Sequence, residues 1–222
     1  MPSYGQIDAE YATHLVTCPP EQDGPILMVN FMRYRARADY GAEGDRGMSG
    51  QEADDRYAPL AVLAEIGAEV VFFGDVDGAS EWHRVGIVRY PSRREFMAMQ
   101  SRPDFQALHV HKIAGMERTI VCGTLPAAPL DAAPAGDGRV LFELVAADTP
   151  LAQPPTARLR VEGVIVGDGR RFATLGVTWL RAGDAVPAPG AGRVAAAARP
   201  SIDQLAAQFR RADLLAPGQT AS

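Results

Sequence analysis

Hydrophobic positions along the chain fall into short runs set off by turn residues. Residues 26–34 form a continuous apolar run bounded by Asp23-Gly24-Pro25, which predicts a buried strand. After a Gly/Asp/Arg-rich loop at 36–48, Ser49 and Glu52 have capping-box spacing. Tyr57, Leu60, Leu63 and Ile66 then recur at helical intervals up to a stop at Gly67. Pro59 inside that pattern predicts a kink or a later helix start. Apolar runs at 68–78 and 83–90 predict a strand pair around the turn Asp77-Gly78-Ala79-Ser80. Ser92 and Glu95 repeat the capping-box spacing before a helix to about Leu108, with Phe96, Met99 and Phe105 on its apolar side and Pro103 as a break point. Residues 117–123 supply another strand. The order β-α-β-β-α-β is that of a ferredoxin-like unit.

From Thr124 to Gly138 the chain turns to Ala, Pro, Gly and Asp, which reads as a linker. A second core follows at 139–222. It opens with an apolar run at 139–147 and continues with two strands, 157–169 and 172–182, as a hairpin around Asp168-Gly169. Arg193-Val194 and Pro200-Ser201-x-x-Gln204-Leu205 align without a gap on Arg84-Val85 and Pro91-Ser92-x-x-Glu95-Phe96, an offset of 109 (201 − 92). The match predicts a degenerate internal repeat with a second helix cap at Ser201. Its first helix is missing, and nothing after Leu215 offers a closing strand. Residues 1–25 precede the first unit as an extension.

Composition narrows the classes. The 222 residues are 47% hydrophobic and 22% charged, which fits a soluble globular chain. No apolar stretch approaches the ~20 residues that span a bilayer. The start lacks a basic leader followed by an apolar block, so a cytoplasmic location is expected. With 27 acidic against 22 basic side chains, a net charge of −5 and no basic stripe, nucleic-acid binding is disfavoured. Cys18 and Cys122 are far apart and are expected to be free thiols. Lys112 is the only lysine, and the excess of Arg, Ala, Gly and Pro matches the codon bias of a GC-rich bacterial genome.

The string Met-Val-Asn-Phe-Met-Arg-Tyr-Arg at 28–35, Trp82, the Tyr90-Pro91-Ser92-x-x-x-Phe96 block and the His111-Lys112 pair together resemble the pattern of the uncharacterised DUF1330 family over roughly residues 26–123. His83 stands where that family usually has Asp, and Lys112 where Arg commonly follows His. The resemblance implies a dimeric α+β barrel, in which two ferredoxin-like sheets pair and a pocket lies between sheet and helices. That group includes isomerases, cofactor-free monooxygenases and haem proteins, so the resemblance implies a fold and a pocket and no single reaction. Combined with the repeat, it predicts tandem ferredoxin-like units forming an intrachain pseudo-dimeric α+β barrel, present as a monomer or a homodimer.

All four His and all six Tyr precede residue 123, so the chemistry is expected in the first unit, with the second as scaffold and pocket wall. Strand alternation puts Met28, Asn30, Met32 and Tyr34 on one face. Leu27, Val29, Phe31 and Arg33 fall on the other, read as the helix-packing face. Asn30 is a candidate donor to a substrate oxygen, against the plainer reading that it satisfies a neighbouring backbone group. His83, beside Trp82, and His111 are candidate acid/base groups; the plainer reading of His83 is a partly exposed strand-edge histidine. His109 and His111 form an HxH pair that offers two metal ligands without an identifiable third. The alternative has one of them facing the pocket and the other at a helix C-terminus. Arg89 and Arg118 are candidate anchors for an anionic substrate, against salt bridges to Asp75 or Glu117. Met28, Met32, Met97, Met99, Phe72, Phe73 and Phe96 suggest an apolar, adaptable lining. No GxSxG, P-loop, strand-borne GxGxxG or CxxC occurs.

The combined expectation is a small-molecule enzyme without an organic cofactor. It would run isomerase, cyclase, lyase or cofactor-independent monooxygenase chemistry on an apolar oxygenated metabolite, in a setting such as secondary metabolism. The rivals are a haem- or metal-dependent enzyme of the same fold, using His83, His109 or His111 as ligand, and a non-catalytic small-molecule-binding protein.

Overall fold

The computed structural model describes residues 4–214 except 45, 79, 131–133 and 212. The run at 26–34 forms strand β2 (Ile26–Tyr34), preceded by a short β1 (Gln6–Ile7) and helix α1 (Ala9–Thr17). Ser49 caps α2 (Gly50–Tyr57) with a reciprocal Glu52 bond, and Pro59 splits the predicted helix so that α3 (Leu60–Glu65) starts anew. Gly67, at φ +70°, ends it in the left-handed region that glycine tolerates. Strands β3 (Glu69–Val76) and β4 (Arg84–Tyr90) form the predicted pair. Ser92 accepts the Glu95 amide at the head of α4 (Arg93–Met99), without the return bond from Glu95. Pro103 takes the first position of α5 (Pro103–Gly115), which runs past Leu108 to carry His109, His111 and Lys112 on helix rather than extended chain.

Strand β5 (Met116–Pro126) reaches into the expected linker, and Thr124 is buried with its hydroxyl on the Leu27 carbonyl. The second half contributes β6 (Val140–Val145), β7 (Ala157–Gly167), β8 (Thr174–Trp179) and β9 (Arg193–Asp203), then a single-turn α6 (Leu205–Gln208). The expectation of a cap at Ser201 fails: Ser201 lies within β9 and its hydroxyl donates to the Phe73 carbonyl. The 109-residue offset therefore lays the third strand of the first half on the fourth strand of the second. The closing strand of the second half is β9 itself, before Leu215, and its Val194 and alanines 195–198 are all buried.

These strands close into an eight-stranded antiparallel barrel in the order β7-β5-β2-β4-β3-β9-β6-β8, completed by β7 pairing with β8; β1 adds to β7 outside the ring. Each half uses the same internal order, fourth-first-third-second, and the halves join where β5 meets β7 and β3 meets β9.

The barrel interior is solid. Leu27, Val29 and Phe31 point into it, where they meet Phe142, Leu159, Leu175 and Val194 from the second half, and Phe72 lies edge-on to Phe142 at 4.7 Å between centroids. This corrects the face assignment for β2. The helices cover the Met28 face instead, with Ile26 and Met28 packed against Leu63, Phe96, Met99 and Phe105. Among the described residues the second half contributes only the single-turn α6, and α1 packs against α4 and β7.

Candidate active site

A cavity of about 390 Å³ lies between the outer face of the first-half sheet and the helices α2 to α5. Met28, Met32, Phe73, Met97, Met99 and Phe105 are part of its apolar wall, and only Ile165 and Val166 come from beyond residue 123. Phe72, read with this lining, is in the barrel core instead. Ile7 and Leu60 are the exposed lining residues, 72% and 60% accessible, which puts the opening between β1 and α3.

The polar groups of the cavity converge from three elements. Asn30 on β2 presents its side-chain oxygen to Lys112 Nζ on α5, which donates at 3.3 Å. The Asn30 amide donates more weakly, at 3.4 Å, to the Met28 carbonyl. Lys112 is buried and its Nζ lies 5.0 Å from the centre of the Tyr57 ring. Burial pulls its pKa below the ordinary lysine value, partly offset by Asp54. His109, one turn earlier on α5, shares its face and lines the same cavity. Its Nε2 is 3.0 Å from the Tyr4 hydroxyl, and burial, reinforced by the Lys112 charge, lowers its pKa to about 4, so the ring is neutral at pH 7. Burial alone pushes Tyr4 up to about 12.

Close helix approach brings these groups together. Gly50 at the start of α2 and Gly115 at the end of α5 touch backbone to backbone, and a Cβ on either would overlap the other's carbonyl. Arg35 ties both, donating its amide to Gly115 and accepting from Gly50. One turn along α2, Asp54 lines the cavity and accepts from Tyr34 at 2.6 Å and from Arg84 at 3.3 Å. Arg84 is itself buried and is neutralised by Asp54, Asp55 and Asp75. Burial, and next the Asp54 charge, raise the Tyr34 pKa, so Tyr34 stays a donor.

The predicted site residues divide. Asn30, Met28 and Met32 line the cavity, and Tyr34 reaches it through Asp54 and Met32. His83 does not: it is exposed, and its Nδ1 accepts the Tyr34 amide at 3.0 Å, because it sits at the strand entrance rather than within the helix-covered face. His111 points away from its neighbour His109 to meet the Tyr40 hydroxyl at 2.8 Å, as two-residue spacing on a helix requires. Arg89 pairs with Asp213, and Arg118 with Glu81 while stacking on Trp82 at 4.9 Å. Neither lines the cavity, and both partners differ from those expected. Of the His109/His111 pair, His109 is the one that faces the cavity, whereas Lys112, Tyr57 and Asp54 carry no local signal as cavity groups.

Among the described residues no three His, Cys, Asp or Glu side chains gather as a metal site, and no helix is long and apolar enough to cross a membrane. Cys18 and Cys122 are buried free thiols.

No family model matches the chain, and no curated protein matches it. Among solved structures, a protein of unknown function from Rhodopseudomonas palustris is 28% identical over 54% of this chain and 95% of its own, with a TM-score of 0.45. Its methylated form gives 26% identity, 61% and 99% coverage and a TM-score of 0.46. A Lactobacillus acidophilus protein named "putative monooxygenase" gives 11% identity, 82% and 97% coverage and a TM-score of 0.41. At these TM-scores the likenesses carry no weight for function. The chain's own strand order and cavity define what it is: an eight-stranded antiparallel barrel with a helix-covered chamber on one flank.

Proposed function

We propose that the protein is an enzyme that moves a proton on an apolar small molecule bearing one oxygen function, held in the chamber beneath α2 to α5. The carrying observation is the Lys112–Asn30 pair inside an otherwise greasy cavity. The apolar walls hold the body of the molecule, and the pair takes its oxygen, since N–H donors are worth more to a developing oxyanion there than in water. Lys112 polarises the oxygen function. The neutral imidazole of His109, on the same helix face, has one nitrogen without a proton, and that nitrogen accepts the proton from the adjacent carbon. Removing a proton next to an oxygen function is a first step shared by isomerases, cyclases and cofactor-independent monooxygenases, the classes implied by the DUF1330 resemblance. The matching strand order of the two halves supports reading the second as a copy that kept its strands and lost its helices, which explains why it supplies only wall.

The test is hydrogen exchange in D2O. With 2-nonanone as probe, proton NMR is expected to show accelerated loss of the protons beside the carbonyl, at least about tenfold slower in Lys112→Met and His109→Phe. A ketone that binds but exchanges no faster than in buffer overturns the proposal.

A further inference from the structure

We infer that Lys112 acts covalently, its amine condensing with the carbonyl carbon of an apolar aldehyde or ketone to form an imine in the chamber. The inference rests on the reading of the chamber given above and deepens it by naming the substrate class and the bond.

Geometry supports it. Lys112 Nζ faces the cavity, and among the described residues its hydrogen bond is to Asn30 and it forms no ion pair with a carboxylate. Asp54, the carboxylate whose charge acts on Lys112, has its Oδ2 occupied by Tyr34 and Arg84. A lysine serving only as a structural cation would be expected to bury against a carboxylate, as Arg84 does against Asp54, Asp55 and Asp75 and Arg93 against Glu162. Here the single side-chain acceptor is a neutral amide that a carbonyl oxygen can replace. Burial also favours the free amine, which is the nucleophilic form.

The step balances without an oxidant or reductant. The amine lone pair forms the C–N bond, the two protons of the amine nitrogen pass to the carbonyl oxygen, and that oxygen departs as water, leaving C=N. His109, three residues away on the same face, is placed to relay a proton in that dehydration and then to accept one from the neighbouring carbon.

Lys112 is the only lysine of the chain, so its labelling is read without ambiguity. Native protein is incubated at neutral pH with decanal and sodium cyanoborohydride, which reduces an imine to a stable secondary amine, and the product is read by intact mass and peptide mapping. One decyl group on Lys112 is expected, gained more than about tenfold faster than the adduct from glyceraldehyde, which has no apolar tail. Decanol, which fills the chamber but cannot condense, is expected to block it. Modification at the terminal amine alone, or of Lys112 only after denaturation, overturns the inference. If that result comes with intact ketone exchange, the imine fails and the proton-transfer reading stands; if exchange and decanol binding are also absent, both fail. Lys112→Arg keeps N–H donors but has no amine able to condense, and is expected to form no adduct.

Discussion

Gly123 on β5 and Gly163 on β7 stand opposite each other in the barrel, and the ring of Tyr11 occupies the space that their missing side chains leave. The Tyr11 hydroxyl continues across this gap to Glu162 at 2.9 Å, which Arg93 holds from α4 at 2.6 Å. The segment before β2 is thereby fastened to both halves. It sets β1, and with it Ile7 at the mouth of the chamber.

Gly163→Ala is expected to destabilise the fold by about 1–3 kcal/mol, because the added methyl overlaps a ring packed on a sheet that cannot retreat. Urea denaturation measures it. Combining the change with Tyr11→Ala should cost less than the sum of the two single changes, since the overlap is then gone.

Arg84→Ala is expected to cost about 3–5 kcal/mol, because it leaves the buried Asp54 carboxylate without its cation. Tyr34→Phe removes one hydrogen bond to the same carboxylate and should cost about 1.5–3 kcal/mol. Thermal melts of both variants, with the larger drop in Arg84→Ala, check the ordering.

His109 gives the chain a specific acid sensitivity. Its folded pKa of about 4 lies below its unfolded value of 6.5, so between these pH values the unfolded chain takes up a proton that the folded one refuses. The contribution is complete above pH 6.5 and is lost as pH falls to about 4, on the order of 2–3 kcal/mol once partial exposure is allowed for. His109→Gln should lack this component. The check is the difference in urea midpoint between wild type and variant from pH 7 to pH 4, since carboxylates common to both cancel.

His83→Ala is expected to leave ketone exchange within about twofold of wild type while costing about 1 kcal/mol for the lost bond to the Tyr34 amide. A tenfold loss of exchange with stability unchanged would return His83 to the chemistry. Parallel exchange and melting measurements separate the two roles.

The strands and caps were readable because they are local. An apolar run between turn residues marks β2, and Ser49 with Glu52 marks the start of α2. Proline punctuation at 59 and 103 also fell where the helices divide. Which face of β2 meets the helices was not readable, because both faces are apolar: one is buried in the barrel and the other beneath the helices. The false cap at Ser201 has a similar origin. Ser-x-x-Gln before an apolar residue suits a helix start, but pairing with β3 holds that segment extended. In the cavity lining, strand alternation puts Asn30 on the face it occupies. Lys112 and Asp54 were missed because their meeting depends on the α2–α5 approach at Gly50 and Gly115, a contact between positions 65 residues apart (115 − 50) that no local pattern reports.

Lys112 serves both the proton transfer and the imine as a buried lysine facing an apolar chamber. Lysine labelled with carbon-13 at Cε gives one signal in this chain, and its NMR titration reads the group directly. The predicted result is a midpoint below the ordinary lysine value of 10.5, with the signal displaced when decanol fills the chamber. A midpoint at or above 10.5, unmoved by decanol, would contradict it.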